Sequence, residues 1–149
     1  MTHLIAIFER SPQLTARLTS RLAPNDTPED VIAKARVILD GFAEPDLVAT
    51  LNAHPRIGAD ARDMSEASRA EQGADNDPRV LAELDRLNLA YEKKFGFRFV
   101  VFVNGRHKSD IVPVLRERLE RSREAELRTG IGEFLAISLD RLRKEAART

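Results

Sequence analysis

Apolar residues of this chain recur at helical spacing between proline and glycine breaks. Leu14, Leu18 and Leu22 lie four residues apart behind Ser11-Pro12, where serine can act as N-cap and proline takes the first helical position. The same arrangement of a start signal followed by an apolar stripe returns along the chain. Further helices are predicted to begin at Thr27-Pro28, Pro45, Ser65, Asp77-Pro78, Ser109 and Ser122, with breaks at Gly41, Pro55, Gly73 and Gly96.

One segment departs from this pattern. Residues 97–103 are dense in aromatic and β-branched side chains and are bounded by Gly96 and Asn104-Gly105, which is typical of a strand. No partner strand is evident, because residues 4–8 are as compatible with a helix as with a strand. We therefore predict an all-α, single-domain bundle spanning residues 1–149, with about seven to nine helices and one short extended segment around 97–103.

Composition excludes several classes of function. The 149 residues include no cysteine, so disulfides, thiolate nucleophiles and cysteine-ligated metals are excluded. Lysine plus arginine and aspartate plus glutamate each number 24, and this balance disfavours nucleic-acid and membrane-surface binding. The three histidines are not spaced as metal ligands, and the chain shows neither a signal-peptide pattern nor a long apolar run. We expect a cytoplasmic protein without a metal.

His54 is the histidine best placed for chemistry. It follows a predicted helix and precedes Pro55, which pushes the residue before it out of the helical region. A helix C-terminus favours the protonated imidazolium, which can donate a proton or stabilise an anion near neutral pH. Local sequence is equally compatible with a simpler role, in which His54 only caps the last carbonyls of the helix.

Ser68, Glu71 and Gln72 are spaced so that a hydroxyl, a carboxylate and an amide share one helical face. Such a face can hold a small polar ligand. The same Ser-x-x-Glu spacing is also a capping box at a helix start. Ser65 is the more economical N-cap, because a helix that begins at Ser68 would have to end at Gly73.

The extended segment also has two interpretations. Its apolar side chains are typical of a buried core. Its backbone N–H and C=O groups, without a sheet partner, need other partners, and an amide-rich heterocyclic ligand is one candidate. Arg98 alternates with Phe97 and Phe99, so it can point the opposite way, either toward an anion or into solvent.

Four ordered segments resemble one family. They are residues 8–12 (FERSP), 54–58 (HPRIG), 68–72 (SRAEQ) and 88–99 (NLAYEKKFGFRF). Together they resemble 2-oxo-4-hydroxy-4-carboxy-5-ureidoimidazoline (OHCU) decarboxylase, a carboxy-lyase of urate degradation that produces (S)-allantoin and carbon dioxide. The similarity continues through Ile111 and Arg118-Leu119 to Glu126-Leu127, so it covers nearly the whole chain. The chain lacks the tryptophan and the Arg-Pro-Phe segment that the family usually carries before the HP motif.

The resemblance implies an all-helical, commonly homodimeric enzyme with no cofactor and a small ureidoimidazoline substrate. It implies that His54 and Glu71 are catalytic, with the carboxylate orienting the histidine. It also implies substrate contacts at Pro55, Ser68, Arg69, Ala70, Gln72, Phe99, Val100, Val101, Phe102 and Val103.

Two other functions stay open on the sequence. The scaffold would also suit a non-catalytic helical dimerisation or interaction module, since its charge is balanced and its helices carry apolar stripes. A lyase or hydrolase for a related ureido compound would keep the histidine and carboxylate and change the groups around them. A catalytic assay separates the first from the decarboxylase, and substrate analogues separate the second.

Overall fold

The structure is a computed structural model that describes residues 4–59, 65–72 and 76–148. Within those ranges the chain forms eight α-helices and no strand, as an all-α fold requires. The helices are α1 (Leu4–Ile7), α2 (Pro12–Thr19), α3 (Pro28–Asp40), α4 (Glu44–Asn52), α5 (Glu66–Gln72), α6 (Pro78–Phe95), α7 (Lys108–Leu119) and α8 (Arg123–Arg148).

Most helices begin and end where proline, cap and glycine signals predict. Thr27 forms a full capping box with Asp30 at the start of α3, and the Asp77 carboxylate accepts the Arg79 N–H at the start of α6. Gly96 ends α6 in the left-handed conformation, with φ of 81°. Two helices begin one residue earlier than predicted. Helix α4 begins at Glu44, with Pro45 in its second position, and α7 begins at Lys108, where the Asp110 carboxylate accepts the His107 N–H at 3.1 Å and closes the turn.

The long helix α8 lies at the centre of the packing and contacts α1, α3, α4 and α6. Its residue Phe134 is completely buried and packs against Phe8 with ring centroids 6.1 Å apart. Gly130 allows α4 to approach closely, since a Cβ there would lie 3.1 Å from Leu51 Cδ1. The helix that carries His54 is therefore seated directly on α8.

The segment 97–103 is extended but belongs to no sheet. Side chains supply part of its hydrogen bonding: the Asn52 amide oxygen accepts the Arg98 N–H at 2.9 Å, and the Glu133 carboxylate accepts the Phe102 N–H at 3.3 Å. The Val100 carbonyl accepts from Arg118 Nη1 at 2.7 Å. The segment thus crosses the helices as a single extended strap with backbone groups that no neighbouring strand covers.

None of the helices in the described ranges combines the length and the apolar character that a membrane crossing needs.

Candidate active site

A partly open cavity of about 40 Å³ lies where the loop after α4, the helices α5 and α8, and the extended strap meet. The cavity is lined by His54, Pro55, Ile57, Ser68, Glu71, Gln72, Phe99, Val100, Val101, Phe102, Val103 and Ile137.

His54 lies two residues beyond the end of α4 and is 5% exposed. Its N–H donates to the Leu51 carbonyl at 3.1 Å, and its own carbonyl accepts from Arg98 Nη1 at 2.9 Å. The ring packs edge-on against Phe134, with centroids 5.1 Å apart and planes at 83°. Arg98 therefore fixes the peptide of His54, and Phe134 fixes its ring.

Neither ring nitrogen of His54 has a hydrogen-bond partner among the described residues. The ring makes no hydrogen bond of standard geometry to cap α4, although the Thr50 carbonyl lies near enough to raise the pKa of the imidazole. Buried polar atoms are nearly always paired, so an unpaired one calls for an explanation such as an ordered water or a catalytic role. The imidazole is free to bind a molecule in the cavity that it lines.

Burial decides the charge of His54. It lowers the pKa of the imidazole to about 4, since desolvation outweighs the nearby Glu9 carboxylate, which raises the pKa, and Arg141 lowers it further. The helix-end argument favoured the imidazolium. The structure reverses that expectation, because the ring is enclosed against Phe134 rather than solvated at the helix end. His54 is neutral at pH 7.

Ser65 caps α5, as the sequence favours, because its Oγ accepts the Ser68 N–H at 3.1 Å. Ser68 and Glu71 are thereby released from capping and line the cavity. Gln72 also lines it, but its amide is engaged: Oε1 accepts the Gly58 N–H at 2.9 Å and Nε2 donates to the Arg56 carbonyl at 3.4 Å. Gln72 thus braces the turn that follows the HP motif.

Glu71 is bonded to Arg141 of α8 and not to His54. Arg141 Nε and Nη2 each donate to the Glu71 carboxylate at 2.8 Å, and Nη2 also donates to Glu9 Oε1 at 3.0 Å. Arg141 is 6% exposed and Glu9 is 1% exposed. One buried guanidinium therefore joins two carboxylates beside the cavity, and His54 and Glu71 share the cavity without a direct hydrogen bond.

A second buried cluster supports the far wall. The Glu126 carboxylate is fully buried and accepts from Tyr91 Oη at 2.6 Å and from Arg118 Nε at 2.7 Å. Burial, followed by the bond to Glu126, raises the pKa of the Tyr91 hydroxyl. The same Arg118 donates to the Val100 carbonyl and lies over the Phe99 ring at 4.5 Å. This cluster fixes the strap at the point where it borders the cavity.

The structure brings together most residues that the sequence singled out. The catalytic candidates His54 and Glu71 and all the contact candidates except Arg69 and Ala70 line the cavity. Arg69 and Ala70 lie on the exposed side of α5. Ile57 and Ile137 complete the lining. Among the described residues, no group of three or more His, Asp or Glu side chains is arranged to hold a metal ion.

Sequence reasoning missed Glu9 and Arg141. A signal for Arg141 exists, because it follows Phe134, Ile137 and Ser138 at helical spacing and so falls on the buried stripe of α8. An arginine on an apolar stripe needs a buried partner. Glu9 lies in the turn between α1 and α2, and its one signal is its place in the FERSP segment, to which no role was given.

The comparisons with known proteins agree with one another. The family model described as OHCU decarboxylase matches residues 1–143. A 2-oxo-4-hydroxy-4-carboxy-5-ureidoimidazoline decarboxylase of Haloferax volcanii is 33% identical over 91% of this chain and 82% of its own length. The mouse (Mus musculus) protein of the same name is 30% identical over 91% of this chain and 80% of its own. A crystal structure of OHCU decarboxylase in the presence of (S)-allantoin superposes with a TM-score of 0.78 at 24% identity, covering 97% of this chain and 96% of its own.

Proposed function

The chain belongs to the OHCU decarboxylase family, and we propose that it converts 2-oxo-4-hydroxy-4-carboxy-5-ureidoimidazoline to (S)-allantoin and carbon dioxide. The observation that carries this proposal is His54, a neutral, buried imidazole that lines a cavity together with Ser68 and Glu71 and has no side-chain hydrogen-bond partner among the described residues. Polar groups and an exposed backbone strap surround it, which suits a substrate built from amides.

The substrate itself makes the reaction feasible. Its carboxylate is attached to a carbon next to an imine-like ring position. When the bond to the carboxylate breaks, the electron pair moves into the ring and gives a planar, enol-like intermediate. The ring nitrogen that received the electron pair takes up a proton from water. The hydroxyl on the same carbon loses its proton as a carbonyl forms, and a proton adds to one face of the neighbouring ring carbon, so that the carboxylate form of the substrate consumes one proton in all. The ring accepts the electrons, so the reaction does not require an external electron sink.

His54 is the group proposed to move the proton. Because its pKa is lowered to about 4, it is a neutral base at pH 7 and can accept the hydroxyl proton as the carboxylate leaves. The resulting imidazolium is then an acid that can return a proton to the intermediate. Phe134 and the Arg98 bond to the His54 carbonyl hold the ring in place, so that proton delivery is confined to one face.

Glu71 lines the same cavity and is proposed to act there with His54. Its carboxylate is held by two bonds from Arg141, both 2.8 Å, so its position is fixed without His54. The histidine and the carboxylate would therefore act as a pair through the substrate between them. Ser68 and the backbone of the strap near Val101 would hold the ureido and ring groups, and the orientation they impose would set the stereochemistry.

The decisive test measures the optical activity of the product. Purified protein is added to freshly generated substrate, and the formation of allantoin is followed by circular dichroism. We expect enantiopure (S)-allantoin at a rate well above the spontaneous one. Racemic product at the spontaneous rate would contradict the proposal and favour a non-catalytic module.

The role of His54 is tested with two asparagine variants. We expect His54→Asn to lower kcat by about 10²- to 10⁴-fold, the usual contribution of a positioned acid-base group. His107→Asn is the control, because His107 is exposed at the start of α7, does not line the cavity, and asparagine is a good residue at a helix start. A folded His54→Asn enzyme with the wild-type rate and enantiopurity would show that the catalytic base lies elsewhere.

We also propose that the chain is one domain, acts in the cytoplasm and forms a homodimer. The continuous match of the family model over residues 1–143 supports a single domain. The homodimer rests on the family resemblance alone. Light scattering coupled to size-exclusion chromatography measures the mass directly, and a mass near the 16.7 kDa of one chain would contradict the dimer.

A further inference from the structure

Glu9 is a buried carboxylate that the proposed reaction does not yet use. It lies in the turn between α1 and α2 and is 1% exposed. Its φ is 41° and that of Arg10 is 56°, a region that residues with a Cβ rarely adopt. The turn directs the Glu9 carboxylate inward, toward α5 and α8.

A single oxygen of Glu9 gathers three donors. Oε1 accepts from Ser68 Oγ at 2.5 Å, from Ser65 Oγ at 2.9 Å and from Arg141 Nη2 at 3.0 Å. Ser65 is also the N-cap of α5. Glu9 therefore ties the first turn of α5 to the guanidinium on α8.

These bonds fix what Ser68 can offer to the cavity. A serine hydroxyl has one proton and two lone pairs. Burial raises the pKa of Glu9, but the hydrogen bond from Ser68 and the charge of Arg141 outweigh burial and lower it, so the carboxylate is ionised and can only accept. The Ser68 proton is thus committed to Glu9. Arg141 Nη2 has two protons, which point to the closer Glu71 and Glu9 oxygens at 2.8 and 3.0 Å, so its contact with Ser68 Oγ at 3.2 Å shares one of them. Ser68 therefore offers a ligand lone pairs and no proton.

We propose that Glu9 is a positioning residue that fixes Ser68 as a hydrogen-bond acceptor, so that Ser68 binds an N–H group of the ligand and not a carbonyl or carboxylate oxygen. This inference rests on the proposed function for the identity of the ligand. In a ureidoimidazoline the matching group is a ureido or ring N–H. The leaving carboxylate is excluded from the position next to Ser68, because two acceptors would face each other there.

The test is a double-mutant cycle between Glu9 and Ser68. Glu9→Gln removes the charge and supplies an amide N–H that can donate to Ser68, which frees the Ser68 proton. Ser68→Ala removes the acceptor. We expect each single variant to raise KM and to weaken (S)-allantoin binding in calorimetry about tenfold, the effect of one neutral hydrogen bond, with a smaller change in kcat. The double variant should be no weaker than Ser68→Ala, because Glu9 then has nothing left to position.

Controls separate positioning from folding. Glu83→Gln also removes an ion-paired carboxylate, but on the surface, where Glu83 binds Arg86 and Arg116 outside the cavity. It should keep wild-type kinetics. If Glu9→Gln does not fold, Glu9→Asp keeps the charge and retracts the carboxylate from Ser68, and the same loss and the same lack of additivity are expected. Thermal unfolding of each variant confirms that the comparison is made between folded proteins.

The outcomes distinguish this inference from the proposed function. Independent effects that multiply to about 100-fold in the double variant, or an unaltered Glu9→Gln enzyme, would overturn the role of Glu9 and leave the decarboxylase activity standing. A wild-type protein without activity would overturn the proposed function, and (S)-allantoin binding by the same variants would then decide the role of Glu9 separately. No binding of (S)-allantoin by the wild type would overturn both.

Discussion

Two glycines of α8 make a matched test of how the site is supported. In both, alanine should gain about 1 kcal/mol of helix propensity. At Gly132 a new Cβ would have no neighbour within 4 Å, so the free energy of unfolding should rise by nearly that amount. At Gly130 the Cβ would lie 3.1 and 3.3 Å from the two Cδ atoms of Leu51. Overpacking of this kind costs about 1–3 kcal/mol.

Leu51 has little freedom to move away, because it is completely buried. We therefore expect Gly130→Ala to lower the free energy of unfolding by about 1 kcal/mol net, and Gly132→Ala to raise it by about 1 kcal/mol. For a chain of this length 1 kcal/mol corresponds to about 2–4 °C in Tm, so the two melting temperatures should differ by about 6 °C. The Leu51 carbonyl accepts the His54 N–H at 3.1 Å, so Gly130→Ala should also reduce kcat.

The assay is thermal unfolding of the two variants and the wild type under identical conditions. The formation of (S)-allantoin is measured at 25 °C, where a domain that loses about 1 kcal/mol of stability is still folded. Gly132→Ala should keep the wild-type rate. Equal increases in Tm for both variants would refute the reasoning, because they would show that α4 can pack against α8 equally well with a Cβ at position 130.

Two further predictions concern buried polar groups. The pKa of His54 is about 4 in the folded state against 6.5 in a free side chain, so the unfolded chain binds the proton first. The stability tied to neutral His54 is then complete above pH 6.5 and decreases by about 3 kcal/mol as the pH falls to 4. Urea unfolding at several pH values should show this decrease in the wild type and a smaller one in His54→Asn; parallel curves would contradict the lowered pKa. Tyr91→Phe removes one of the bonds to Glu126 and should lower the free energy of unfolding by about 1–2 kcal/mol in urea titrations; an unchanged midpoint would show that the hydroxyl bond contributes nothing to stability.

Local signals in the sequence were enough to predict the helices and the position of His54. Proline, cap and glycine residues act over only a few positions, so Thr27 and Gly96 carry their information in the printed sequence. The extended strap was predicted for the same reason, since its β-branched and aromatic residues are contiguous. Packing decides which segments meet at a site, and local signals do not carry that information. The HPRIG segment, the SRAEQ segment and the strap were nevertheless predicted to share one site, because the ordered motifs resemble a family.

The buried charges could not be predicted in this way. Glu9 and Arg141 are 132 positions apart, and nothing in either segment indicates the other. The charge of His54 could not be predicted from the sequence for a related reason. The helix end is a local feature that favours the imidazolium, whereas the Phe134 ring that excludes water comes from α8. Tertiary burial outweighed the local dipole.

The two buried basic side chains of the site, Arg141 and His54, have different charge states, and this difference bears on catalysis. Arg141 keeps its proton in spite of burial, because Glu71 and Glu9 accept its N–H groups. His54 is buried to a similar extent without a partner, so it is neutral before reaction. Glu9 nevertheless raises the pKa of His54 through space. If His54 takes the substrate proton as we propose, the imidazolium meets a carboxylate already fixed nearby; that attraction, which Arg141 partly offsets, operates only while the imidazolium exists. Interactions that are stronger during the reaction than before it are the ones that accelerate it.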